Sequence, residues 1–217
     1  MEVIVRNMEH NNWVTLTFLF VLLLVLVSNQ LYPEKFTDFR NLFFSGKYFT
    51  SHQKKPSVFN FFSFILYLSH SVILSLGLFT LFKVMGFLKV EYNFLFFLQI
   101  FILLNVLIGI KYLVEKIIAS IFTIDKVIDN YIFYKITYKN LLAFTLFPVL
   151  LVFIYSWTPS PITLIISTLL YLLLNLFILL KYYLKNQKLV FKYSFYFILY
   201  LCTLEIAPYI ILYKVIT

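Results

Sequence analysis

The sequence predicts an all-α integral membrane bundle of about six transmembrane helices, with amphipathic interfacial helices on its cytoplasmic side. Three observations lead there. Of 217 residues 62% are hydrophobic and only 12% charged, too little charge to clothe a soluble domain so rich in Phe, Leu, Ile and Tyr. Six apolar stretches are each long enough to cross a hydrocarbon core of roughly 30 Å. Basic residues are crowded into alternate loops, the pattern left by membrane insertion.

The spans fall at 13–32, 58–82, 94–110, 141–157, 162–180 and 193–213. The first is preceded by Glu2, Arg6 and Glu9 instead of a basic segment, and Ser28-Asn29-Gln30 offers no small-residue cleavage site, so it reads as a retained helix. The loop after it carries Lys35, Arg40, Lys47, Lys54 and Lys55. Between 34 and 44, Phe36, Phe39, Leu42 and Phe43 recur at helical spacing against Glu34, Lys35, Asp38 and Arg40, which predicts a helix lying on the membrane. After the third span comes 111–139, with Ile117, Ile118, Ile121, Ile124, Ile128 and Ile132 set against Glu115, Lys116, Asp125, Lys126 and Asp129. This segment is expected to continue the span as an amphipathic helix and then fold back, covering the bundle's cytoplasmic face. Spans four and five are joined only by Thr158-Pro159-Ser160-Pro161, a tight external hairpin.

The loops after spans one, three and five hold 14 of the 18 Lys and Arg residues, which places those loops in the cytoplasm and both termini outside it. The net charge of +9 is accounted for by this topology signal and by attraction to anionic lipid headgroups at the Lys-rich loops, so nucleic acid is not the expected partner. One cysteine and three scattered histidines exclude a disulfide framework and the usual zinc spacings, and no metal or cofactor is expected. Nucleophile elbow, phosphate loop and paired catalytic carboxylates are all missing, so no catalytic residue is assigned.

One acid lies inside a span. Glu205 sits near the middle of the sixth, where an ionised side chain costs roughly 2.5 to 3.5 kcal/mol on insertion scales, so it is either neutral or paired. Pro208, three residues on, frees the carbonyl of Leu204 beside it. Cys202, Glu205, Tyr209 and Tyr213 share a face, giving a polar notch that works either as a proton or cation site or as a clamp between helices. His70 lies at similar depth in the second span and is the candidate partner. It belongs to a stripe of Asn60, Ser63, Tyr67, His70 and Gly77 that faces another helix or a water-lined path. Gln99 and Asn105 fall on different faces of span three; Thr163, Ser167, Tyr171 and Asn175 form a seam on span five; Pro148 should kink span four. These read as ordinary packing features.

Two passages carry a resemblance: residues 133–142, leading into Pro148, and residues 196–214 around Leu204-Glu205-Ile206-Ala207-Pro208. They resemble a functionally uncharacterised polytopic inner-membrane family of Bacteroidota, and the similarity extends to Tyr32-Pro33-Glu34-Lys35-Phe36 and Lys47-Tyr48-Phe49. The resemblance implies a bacterial inner-membrane location and brings no established activity; bacteria of that group build large secretion and gliding machines. The leading expectation is therefore a non-enzymatic subunit or assembly factor of a larger envelope complex, bound to other membrane proteins or to copies of itself. A proton- or cation-linked small-solute transporter using Glu205 is the alternative, and a lipid-modifying enzyme the third.

Overall fold

The computed structural model describes residues 12–43, 60–86, 93–121, 123–156 and 159–185. They form six α-helices, and no strand occurs among the described residues: α1 (Asn12–Leu31), α2 (Pro33–Arg40), α3 (Phe61–Met85), α4 (Phe94–Ile121), α5 (Asp125–Leu151) and α6 (Pro161–Lys185). Five segments, in α1, α3, α4, α6 and the α5 stretch extended to Ser156, are long and apolar enough to cross a membrane. The span expected at 193–213 lies outside the described residues.

Local chemistry marks the helix ends. Pro33 opens α2, where its missing N–H costs nothing, with Glu34 in the first turn and Arg40 in the last, each matching the helix dipole. At the start of α4 the Asn93 side-chain oxygen Oδ1 accepts the Phe96 N–H at 3.1 Å. Ser160 does the same for Thr163 ahead of α6, with Pro161 as the first helical residue. Gly86 closes α3 in the left-handed region, at φ +62, returning its N–H to Phe82.

The α4–α5 turn is a Schellman closure without glycine. Thr123, at φ +54, donates to the Ser120 carbonyl, and Ile124 donates to that of Ala119. Ile124 and Ala119 then sit in the same buried cluster, the apolar contact that accompanies this motif. The segment 111–139 therefore differs from its expected form. Its first arm does prolong the span, to Ile121, but its second arm is no surface cover: it is the first half of α5, and Tyr131, Ile132, Tyr134, Thr137 and Asn140 are buried in the bundle. The two arms make one helical hairpin. At a rise of ~1.5 Å per residue, α4 alone is about 42 Å long and outlasts the hydrocarbon core.

α3 is the central helix. Of its most apolar window 61% is buried, against 6% for α6. Ser69, Ser71 and Ser75 are fully buried there and return their hydroxyls to carbonyls of α3 itself, so they add little bulk and leave no unmet donor. Gly77 lets α5 approach: a Cβ built there would meet Leu146 at 3.7 Å and Leu150 at 3.9 Å.

Packing divides into two clusters along the bundle. At the hairpin end, Phe39 and Leu42 of the α2 region close over Phe62, Leu66, Ala119, Ile128, Tyr131 and Ile132. At the far end, Val14, Phe18 and Val21 pack on Ile73, Leu76, Phe79 and Phe97. There Trp13 sets its ring against Phe79, Phe94 and Phe97 at 5.2, 5.7 and 5.4 Å.

Candidate functional site

Of the residues the sequence singles out, Glu205, Pro208 and Tyr209 lie outside the described residues, as do Cys202 and Tyr213. His70 lies between the two clusters. It is 4% exposed, its ring meets Tyr67 edge-on at 6.5 Å, and among the described residues neither ring nitrogen has a hydrogen-bond partner.

The stripe to which His70 belongs is shared between two neighbours, because α3 has helices on several sides. Tyr67 turns to α4 and donates its hydroxyl to Asn105 Oδ1 at 2.8 Å, while the Asn105 amide donates to the Phe101 carbonyl at 2.7 Å. Gly77 turns to α5. Replacing Tyr67 with Phe removes one interhelical hydrogen bond and should cost about 0.6 kcal/mol, the average found for such bonds inside membranes. A denaturant titration of the purified protein checks this; a loss several times larger would mean that Asn105 has no second way to satisfy its carbonyl. Gln99 is exposed while Asn105 is partly buried, as their six-residue separation predicts.

α3 and α5 run in the same direction from the hairpin end, so their contacts keep a constant offset. Gly77 meets Leu146, and Phe62 shares a cluster with Tyr131 and Ile132. The same offset sets His70 opposite Lys139 and Asn140, one turn from the fully buried Ala143. The Lys139 charge acts on the His70 ring, consistent with this register. Asn140 is 2% exposed, and among the described residues its side-chain carbonyl has no hydrogen-bond partner.

Nearer the hairpin turn lies a feature that reading the sequence did not find. Glu115 of α4, 3% exposed, accepts from Lys135 Nζ of α5 at 2.6 Å, and that ammonium stands 5.1 Å from the centre of the Tyr131 ring. Lys116 pairs with Asp129 across the same two helices. The sequence places all four in a surface segment. The signal that marks Glu115 as buried is its four-residue spacing from Ala119, which puts both on one face.

The remaining polar positions are satisfied locally. Thr163, Ser167 and Asn175 each donate to a carbonyl three or four residues back. Pro148 lies within α5, which continues to Leu151 and then widens into a π turn over Val152–Ser156. That turn brings the Tyr155 hydroxyl to 2.7 Å from Thr15 Oγ1 of α1. No group of three or more His, Cys, Asp or Glu residues able to hold a metal occurs among the described residues.

A central helix buried on most of its circumference, apolar helices around it, and a buried acid, Glu115, matched by Lys135 define a polytopic α-helical membrane protein. The chain belongs to the family described as a domain of unknown function, DUF4271, whose family model matches residues 14–216. No curated protein and no solved structure matches it.

Proposed function

We propose that the chain is a non-enzymatic, multi-pass subunit or assembly factor of a larger complex in the bacterial inner membrane, with both termini on the periplasmic side. The observation that carries this reading is the α4–α5 hairpin. It is longer than the hydrocarbon core is thick, closed by a tight turn, joined by two ion pairs and buttressed by α2. It also stands at the end to which 14 of the 18 basic residues are assigned, the cytoplasmic side by the positive-inside rule. A stiff arm that outlasts the lipid suits docking to another protein. Its basic surroundings suit anionic headgroups.

The test is extraction of the tagged protein from its native membrane in mild detergent, followed by mass spectrometry of whatever accompanies it in fixed ratio. A stoichiometric partner is expected, and Ile117→Glu or Ile121→Glu, on exposed positions near the hairpin tip, should release that partner without unfolding the bundle. A second reading, transport of a small solute coupled to a proton or cation, is favoured by the buried polar group around His70. If the protein runs alone and moves a solute in proteoliposomes, the subunit reading falls and transport takes its place.

A further inference from the structure

We propose that α3 and α5 hold internal water between His70 and Asn140, a neutral binding site within the bundle. The inference goes beyond the subunit reading and does not depend on it.

A neutral imidazole always carries one N–H donor and one lone pair, and an Asn carbonyl carries two lone pairs. Leaving such groups buried and unmatched is far more costly than the gain from an ordinary hydrogen bond, so each needs a donor or acceptor from somewhere. Among the described residues the protein supplies none to His70 Nδ1, His70 Nε2 or Asn140 Oδ1. Three such atoms at one level of one helix pair are unlike three isolated lapses. The nearby hydroxyls are already committed: Ser69 donates to Ile65 and Ser71 to Leu68, both along α3. Ala143, one turn further along α5, is fully buried and presents only a methyl group.

The charge environment selects the guest. Lys139 acts on the ring from α5, which makes a second cation unfavourable here. Glu115, the buried acid of the described bundle, is already paired with Lys135, which lies about one turn from Lys139 on α5. A guest that meets these groups must donate to Asn140 and to the lone pair of the ring, and accept from the ring N–H. Water does both, since each molecule donates twice and accepts twice. Buried waters characteristically bridge polar groups in this way.

The experiment is hydroxyl-radical footprinting of the purified full-length protein in nanodiscs, with radicals generated by X-ray radiolysis in oxygen-18 water. Radicals arise from water in place, so a residue beside internal water is labelled despite its burial. His70 should take up oxygen-18 severalfold faster than the equally buried Phe62 and Ile73, which have no unpartnered polar atom. Asn140→Leu should bring His70 down to their rate, while labelling of the exposed Tyr155 stays as it is. Labelling of His70 no faster than Phe62 in the unaltered protein overturns the proposal, whether or not the variant folds. A His70 rate that falls as chloride is raised also overturns it, because the guest is then an anion.

Discussion

Glu115→Leu should destabilise the protein by about 3 kcal/mol, and Glu115→Leu with Lys135→Leu should recover most of that loss. The asymmetry follows from where the charges sit. Both side chains are largely withdrawn from solvent, at 3% and 11% exposure, so removing the carboxylate takes away the acid that matches a largely buried ammonium beside the Tyr131 ring. Removing both leaves two apolar residues facing each other between helices. An exposed ion pair behaves differently, its loss costing about 0 to 1 kcal/mol. Lys116 and Asp129, at 34% and 27% side-chain exposure, provide that comparison in the same hairpin. Asp129→Asn should therefore cost under about 1 kcal/mol. Thermal unfolding in detergent, read by the loss of monodisperse protein, separates these cases, with a shift of roughly 6 to 12 °C for Glu115→Leu. If the double variant is as unstable as the single one, the pair holds the hairpin by geometry that no apolar contact replaces.

The ion pair also shows where reading the sequence stops. Hydropathy averages over a window, and a segment carrying Glu115, Lys116, Asp125, Lys126, Asp129 and Lys135 reads as wet because each charge counts as a cost. Glu115 and Lys135 are 20 residues apart, and only a hairpin cancels them. The turn that makes the hairpin lacks the usual glycine, its left-handed residue being Thr123, so the strongest turn signal is missing as well. By contrast α1, at Asn12–Leu31, and α6, beginning at Pro161, were legible to within a residue or so, because unbroken apolar runs and a Ser-Pro helix start are local properties.

The candidate site was legible by half. His70 stands out because a histidine is rare deep in an apolar helix. Asn140 escaped notice because it precedes the apolar run beginning at Leu141, at a position assigned to a loop until α5 is seen to start at Asp125. The spacing of the α3 stripe predicts one face toward one neighbour. A helix at the centre of a bundle has no single inner face, so Tyr67 serves α4 while Gly77 serves α5.

That central position determines the second large effect. Leu76→Ala should cost about 2 to 3 kcal/mol, while Leu103→Ala should change stability by less than about 0.5 kcal/mol. Leu76 is fully buried in the far-end cluster with Val21, Ile73, Phe79 and Leu150, and Leu103 is 61% exposed on α4. In water the argument would begin with transfer of a side chain out of solvent. In a membrane that step is nearly cancelled, since lipid tails are as apolar as the leucine itself. What remains is packing: a buried leucine makes some 40 to 60 close atomic contacts, and truncation leaves a cavity whose lining loses them. Leu103 faces hydrocarbon, and lipid fills the space that its truncation opens. Leu76→Met, which keeps the volume, should restore most of the stability. Reversible unfolding in mixed micelles measures all three variants. Equal, small losses for Leu76→Ala and Leu103→Ala would mean that α3 is surrounded by its neighbours without being packed against them.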